Sequence, residues 1–398
     1  AYFYPTSTLV TGYDIITFWV SRMIFSALEY TGKIPFETVL IHGLVRDSQG
    51  RKMSKSLGNG IDPLELIDQY GADALRFTLV SGNSPGNDMR FYIKEVESSR
   101  NFANKLWNAV RFALTYLTID TVTLPAEMQL EDRWILHKCN RLVRDVRENL
   151  NKFELGIALQ KLYDFLWDDL CDWYIELIKP RLFETNTDQM TRISAQQVLS
   201  YVLVQTLSLL HPFMPFITEE LYQSLPHFPG CGNLLMVEPY PEYTETLEFC
   251  SAAEEMGCII ELIRQIRQLR NQMNVPYSKK TRLYLETKHI STYRDGIECI
   301  KRLASAEALL FEKVPDGLNV TSVVTSDVKA FIPLGELVDL EKEKNRLLTE
   351  KKKLENEIAR LNTKLSNPGF IAKAPEKVVL EERVRLEGYQ KQIENTLE

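Results

Sequence analysis

Residues 50–59 read Gly50-Arg51-Lys52-Met53-Ser54-Lys55-Ser56-Leu57-Gly58-Asn59, with two lysines and two serines inside five positions and glycine on either side. A loop of this kind can wrap a triphosphate. Lysine offers phosphate a compact point charge, and hydroxyls and backbone N–H groups complete the cradle. Where an α-phosphate is attacked and charge builds on the departing pyrophosphate, positioned cations such as Lys52 and Lys55 are what the transition state needs. Most Lys/Ser loops are solvated basic turns, but the string at 52–56 arises by chance in only roughly one chain in ten thousand of this length.

Upstream of the loop, Thr8-Leu9-Val10 is a short β-type run and Thr11-Gly12 a turn. Asp14 begins a helical stretch through Trp19, Met23 and Ala27 that ends near Gly32-Lys33, and Val39-Leu40-Ile41 is a second buried strand. Strand, helix, strand at this spacing is the βαβ unit of parallel, doubly wound sheets. Downstream, the pattern turns helical at Pro63 and breaks at the turn cluster 81–87. Apolar positions at a 3.6-residue period then predict helices near 94–118, 130–150, 155–179, 189–210, 215–225 and 251–273, a helical bundle. Residues 276–333 predict a small α/β module: a strand at Thr281–Glu286, a helix near 290–304, and strands at Ser322–Val324 and Phe331-Ile332. From 336 a heptad seam runs through Leu340, Leu347, Leu354 and Leu361, breaks at Asn367-Pro368-Gly369, and resumes through Val379, Leu386, Tyr389, Ile393 and Leu397. Two helices joined by one break predict an antiparallel coiled-coil hairpin, with arms of roughly 45 Å.

The chain has 398 residues, room for two or three domains with their own cores. Its net charge of −7 gives no argument for a nucleic-acid partner, so any RNA contact has to come from local basic faces. The six cysteines (Cys139, Cys171, Cys231, Cys250, Cys258, Cys299) include no C-x-x-C pair and no histidine at zinc-finger spacing, so no zinc is expected. Scattered single thiols fit a reducing compartment, and with no signal-like start and no apolar run of membrane length, a cytoplasmic location is expected. Ala1-Tyr2-Phe3-Tyr4-Pro5 opens directly into a strand-like segment without an initiator methionine, which reads as a boundary inside a longer protein.

Lys52-Met53-Ser54-Lys55-Ser56 resembles the second signature loop of the class I aminoacyl-tRNA synthetases, and Ile41-His42-Gly43-Leu44-Val45-Arg46-Asp47 resembles the strand leading into it in the valyl, isoleucyl and leucyl subgroup. The run from Thr11-Gly12-Tyr13-Asp14-Ile15-Ile16 through Thr17-Phe18-Trp19-Val20-Ser21-Arg22-Met23 is most similar to the valyl branch. The resemblance implies ATP with Mg²⁺, valine and valine tRNA as substrates. It implies that Gly12 and Asp14 lie against the adenosine ribose and His42 near the adenine. Lys52, Met53, Ser54, Lys55 and Ser56 would form the ATP loop, with Lys52 and Lys55 catalytic, and Ile15 and Trp19 would wall the valine pocket. One carboxylate can hold ribose hydroxyls, and an i, i+4 pair can make an apolar wall. Without the resemblance, Ile15 and Trp19 read as core packing, Asp14 as a helix cap and His42 as a packed, hydrogen-bonded residue.

Two further stretches carry the resemblance. Gly86-Asn87-Asp88-Met89-Arg90-Phe91 is similar to the valyl segment that joins the catalytic and helical domains on the inner side of the tRNA. Leu210-His211-Pro212-Phe213-Met214-Pro215 with Phe216-Ile217-Thr218-Glu219-Glu220-Leu221 is similar to a signature of the helical anticodon-binding domain, where its work is packing. The implied division is 1–62 for the C-terminal part of a Rossmann-type catalytic domain, 63–124 for a stem-contact region and 125–275 for the anticodon-binding bundle. A small α/β linker at 276–334 and a tRNA-binding coiled-coil arm at 335–398 complete it.

Arg141, Arg144, Arg147 and Arg264, Arg267, Arg270 each repeat at i, i+3, i+6, a stripe that can track a phosphate backbone. Either stripe alone reads as a solvated helix face. Within the arm, Lys351, Lys352, Lys353, Arg360 and Lys364 oppose Glu355 and Glu357, a local excess of positive charge that heptad surfaces also carry for solubility. The first class I signature and the inserted editing domain are missing, so little aminoacylation is expected of this chain alone, and the hairpin favours a monomer. The alternatives are an isoleucyl or leucyl origin, a stand-alone tRNA-binding module, and a coiled-coil scaffold.

Overall fold

The computed structural model describes residues 3–54, 56–82, 85–183, 188–337, 351, 354–362 and 365–366. It divides into two compact units, Ala1–Met256 and Gly257–Glu398.

The first unit opens with a parallel pair. Strand β1 (Thr6–Gly12) lies beside β2 (Phe36–His42) in a register running from Thr6 opposite Phe36 to Gly12 opposite His42. The crossover is less regular than the expected helix from Asp14. A 3₁₀ turn at Tyr13–Ile15 and a π-helical stretch at Ile16–Val20 precede the regular helix α1 (Ser21–Thr31). Ile15, Ile16, Thr17 and Val20 are β-branched and crowd the preceding turn, which disfavours a clean α-helical start. Gly32 stops α1 in a left-handed conformation (φ 67°), its N–H donating to the Leu28 carbonyl at 3.0 Å. No residue of α1 is buried, and Phe18, Phe25 and Tyr30 stand largely exposed.

The chain then builds a second short parallel pair, β3 (Val45–Arg46) with β4 (Met89–Arg90). Between them lie α2 (Pro63–Tyr70), with Pro63 at its first turn and capped by Asp62, which accepts from Leu64 N–H at 2.9 Å, and α3 (Ala72–Val80). Leu66, Ala74, Leu75, Phe91 and Val96 form a small core here, the last from α4 (Ile93–Tyr116). The tilted rings of Phe77 and Phe102 pack at 5.0 Å and those of Phe102 and Tyr163 at 4.9 Å, carrying this core into the helical body.

The body contains α5 (Leu130–Asn151), α6 (Leu155–Asp164), a π-helical run at Phe165–Tyr174, α7 (Ile175–Phe183), α8 (Gln189–Leu210) and α9 (Pro215–Ser224). Helix α10 (Cys250–Gln272) follows. The periodicity located each of these within a few residues. What it read as one helix at 155–179 is α6, the π run and α7 in succession. Helix α8 is long and apolar enough to pass for a membrane span, but most of its apolar residues are buried, so it is a core helix.

Two polar clusters lock the body. Arg181 is 8% exposed and forks onto Asp132, Nη1 to Oδ1 at 2.9 Å and Nη2 to Oδ2 at 2.8 Å. It also donates to Glu131 and to the Thr191 carbonyl (both 2.9 Å), while Tyr174 OH donates to Asp132 at 2.8 Å. The second cluster joins α3 to α9. Asp73 accepts from the N–H groups of Phe216 (3.3 Å) and Ile217 (2.6 Å) at the N-terminus of α9, and Arg76 donates to the carbonyls of Phe213 (3.1 Å) and Pro212 (2.9 Å). The Pro-rich stretch at 210–221 is thus a packing joint, with Phe213, Met214, Thr218 and Leu221 buried.

In the second unit a four-stranded sheet runs in the order β6-β5-β8-β7. Its strands are β5 (Thr281–Thr287), β6 (Ala306–Leu310), β7 (Val320–Val324) and β8 (Val328–Pro333). Helices α11 (Ile290–Asp295) and α12 (Ile297–Leu303) connect β5 to its parallel neighbour β6. The sequence missed β6 because Ala-Glu-Ala has weak strand preference. The short α13 (Leu334–Leu337) ends the sheet, and residues 354–362 are helical. The Asn367-Pro368-Gly369 break and the second coiled-coil helix lie outside the described residues.

Breaking a buried ion pair leaves an uncompensated charge. Arg181→Ala is therefore expected to cost about 3–5 kcal/mol in urea unfolding followed by helical circular dichroism. A loss below about 1 kcal/mol would mean that Arg181 is not the lock described.

Candidate nucleotide loop and basic helix faces

The carboxyl ends of β1 and β2 meet at Gly12 and His42, the edge of a parallel sheet at which ligands bind in open α/β folds. Asp14 sits two positions after Gly12, with Oδ1 only 2.8 Å from where a Cβ on Gly12 would stand. His42 Nδ1 donates to the Gly43 carbonyl at 2.8 Å. Lys52 Nζ comes within 3.4 Å of Asp14 Oδ2, so the residue read as a ribose ligand and the first lysine of the loop share one place. Ile15 and Trp19 are 38% and 58% exposed.

The loop is held by residues that the sequence had not marked for this task. Asp47, before the loop, accepts from the N–H groups of Gln49 (3.1 Å) and Arg51 (2.8 Å) and from Arg51 Nε (2.7 Å). Asn59, after it, donates to Asp47 Oδ2 (2.9 Å) and to the Lys52 carbonyl (3.3 Å), and accepts from Ser54 N–H (3.0 Å). One carboxylate and one amide thus clasp both ends of the loop. Within it the Ser54 and Ser56 hydroxyls are 3.1 Å apart, and Met53 packs against the small core at Leu66, Leu75 and Phe91. Lys55 lies outside the described residues.

Gly86–Phe91 runs alongside 41–46. The N–H groups of Gly86, Met89 and Phe91 donate to the carbonyls of Ile41 (3.0 Å), Leu44 (3.1 Å) and Arg46 (2.9 Å). Asp88 takes the Leu44 N–H at 2.7 Å, the Arg46 guanidinium and the Tyr13 hydroxyl at 3.3 Å. The Asn59 hydrogen bond, followed by the Arg51 contacts, holds the Asp47 carboxyl well below the usual carboxylate range. The Leu44 N–H and then Arg46 lower the pKa of Asp88.

The arginine stripes are revised. Arg141 and Arg144 approach Glu248 at 3.4 and 4.0 Å, and Arg147 donates to the carbonyls of Tyr240 (3.4 Å) and Pro241 (2.9 Å). Arg141 is exposed, while Arg144 and Arg147 are half-buried. In the other stripe Arg264 is exposed and Arg267 donates to the Leu303 carbonyl at 2.8 Å. Arg270 is only 3% exposed and holds the carbonyls of Pro276 and Lys279. A guanidinium so enclosed cannot track a phosphate backbone, and Arg270 leaves the candidate surface. In the arm, Lys351 and Arg360 pair with Glu355 (3.9 Å) and Glu357 (3.7 Å). Lys352, Lys353 and Lys364 lie outside the described residues.

Comparison with known proteins finds matches along most of the chain. The family profile "tRNA synthetases class I (I, L, M and V)" matches residues 1–92, "Anticodon-binding domain of tRNA ligase" matches 132–285, and "Valyl tRNA synthetase tRNA binding arm" matches 339–398. Fold, loop and matches together put the chain among the class I tRNA synthetases that carry an anticodon-binding domain. Within that class it is a homologue of the valine–tRNA ligases. It is 50% identical to that of Clostridium acetobutylicum over 99% of this chain and 45% of the relative. It is also 50% identical to that of Clostridium perfringens over 100% and 45%, and 48% identical to that of Carboxydothermus hydrogenoformans over 99% and 45%. The chain thus spans a little under half the length of these relatives.

A carboxylate whose pKa is depressed on folding contributes stability above its unfolded pKa and loses it as pH falls through the folded value. The Asp47 and Asp88 clasps are therefore expected to stay closed down to the ordinary aspartate pKa of about 3.9 and to open only in stronger acid. Hydrogen exchange at the Leu44 and Arg51 amides across that range checks this. Loss of protection already near neutral pH would contradict it.

Proposed function

We propose that this chain supplies the nucleotide loop and the tRNA-binding body of a valine–tRNA ligase, an enzyme that joins valine to ATP as valyl-adenylate and then transfers it to valine tRNA. The observation that carries the reading is the meeting of Lys52 and Asp14 at the carboxyl ends of two parallel strands. An exposed ion pair is worth little, so a nucleotide can replace it at small cost. The ribose hydroxyls then take Asp14 and the phosphates take Lys52, with Gly12 allowing close approach and His42 beside the adenine.

Lys52 and Lys55 stabilise the charge that builds on pyrophosphate as the α-phosphate is attacked. Ser54 and Ser56 add hydroxyls, Met53 anchors the loop, and Mg²⁺ enters with ATP as part of the substrate. Ile15 and Trp19 form one wall of the valine pocket. The division at 62, 124, 275 and 334 separates the catalytic part, stem-contact region, anticodon-binding bundle, linker and coiled-coil arm. Arg141, Arg144 and Arg264, with Lys351, Lys352, Lys353, Arg360 and Lys364 of the arm, offer charge to the tRNA backbone. A cytoplasmic monomer suits these parts.

The exposed faces of Ile15 and Trp19 and the 45% span favour a second reading for the chain by itself: it binds tRNA without completing aminoacylation.

Binding to valine tRNA, to valine tRNA with a changed anticodon and to isoleucine tRNA, at several salt concentrations, tests the body. Preference for unaltered valine tRNA is expected, with affinity falling as salt rises, and Arg141→Ala with Arg144→Ala should flatten that slope. Equal weak binding to all three would sink the anticodon-reading role. In the complete ligase, Lys52→Ala is expected to lower valine-dependent pyrophosphate exchange about 100-fold. An unchanged rate would remove Lys52 from catalysis.

A further inference from the structure

The segment before α10 is strapped along α5. Asn140 donates to the Thr244 carbonyl at 2.8 Å and accepts from Thr244 N–H at 2.9 Å, and Arg147 holds the Tyr240 and Pro241 carbonyls. The strap delivers Glu248 and Cys250 to His137. A ring nitrogen, a carboxylate oxygen and a thiol sulfur from these three residues lie within 4.8 Å of one another. His137 is 4% exposed, and its Nδ1 has no hydrogen-bond partner among the described residues. A buried polar atom left unpaired is costly and calls for an explanation.

We propose that His137, Glu248 and Cys250 form a binding site for a divalent cation of the zinc type. Imidazole nitrogen, thiolate and carboxylate are zinc's donors, and sulfur excludes the hard cations magnesium and calcium. Burial, then the positive charge of Arg141, lowers the His137 pKa from its ordinary value, the direction that favours the unprotonated ring nitrogen a metal needs. The Cys250 thiol donates to Glu248 Oε2 at 3.5 Å, while Glu248 Oε1 faces Arg141 at 3.4 Å. Binding replaces the thiol proton: a sulfur–metal bond forms, the S–H bond breaks, the proton passes to solvent, and nothing is oxidised. Arg141 then keeps the other carboxylate oxygen, the outer contact that orients a ligating side chain. Entry is open, because Cys250 is exposed and shares with His137 a cleft of about 500 Å³ also lined by Lys138, Arg141, Asp145 and Glu254. Three protein donors leave a fourth position for water. The expectation of no zinc rested on sequence spacing, and spacing cannot register a histidine more than a hundred positions from its partners.

The test uses the tag-free chain, titrated with Zn²⁺ under elemental analysis and with Co²⁺ under absorption spectroscopy. One equivalent and a thiolate-to-cobalt charge-transfer band are expected. Cys250→Ser, at an exposed position, should abolish the band and weaken Zn²⁺ binding by more than about 100-fold, beyond the effect of an outer-shell change. Glu248→Gln should weaken binding while circular dichroism stays native. Absence of the band in the unaltered chain, or its persistence in Cys250→Ser, would overturn the proposal.

Discussion

Gly43 is where two backbones come closer than any side chain permits. A Cβ at this position would lie 1.8 Å from the Asn87 carbonyl oxygen. With only hydrogen there, residues 86–91 can run beside 41–46, and Asp88 can reach back to Leu44, Arg46 and Tyr13. Much follows from that approach. It buries Phe91 in the small core with Leu66, Leu75 and Val96, the core on which Met53 rests. It also directs the chain into α4. Asp73 and Arg76 of the neighbouring α3 then clamp the turn into α9, joining the nucleotide end to the helical body. The loop that holds the lysines is thus anchored on one side by backbone pairing and on the other by apolar packing.

Helix α5 has a comparable part in the helical body. Its first turn enters the Arg181 network through Asp132, its middle binds the 240–250 strap through Asn140, and its last turns add Arg147 to the same strap. Each is a polar group satisfied far along the chain. Such contacts fix one arrangement where apolar packing alone tolerates several.

The arginine stripes show how a helical pattern can mislead. Residues three apart advance about 300° around an α-helix, so each step falls about 60° short of a full turn. A stripe at i, i+3, i+6 therefore drifts across the surface, and its third member can end against the core. Arg264 is exposed, Arg267 half-buried and Arg270 enclosed, in that order. In the first stripe the drift carries Arg147 onto backbone carbonyls of the strap.

Period and punctuation determined the local elements: the parallel β1–β2 pair, nearly every helix of the body, and the loop at 52–56 were legible because apolar spacing and glycine placement act over a few residues. Strand β6 was not legible, since its Ala-Glu-Ala start becomes a strand only by pairing with β5. The chemistry of Lys52 and Asp14 was legible as residue types, but their approach to 3.4 Å was decided by the register of two strands. The clasp of Asp47 and Asn59, the staple of Asp88 and the group of His137, Glu248 and Cys250 belong to the tertiary structure alone. Residues distant along the chain carry no mutual signal in one sequence. Only the close packing of backbone at Gly43, and of the strap on α5, brings them within reach of a hydrogen bond or a shared ion.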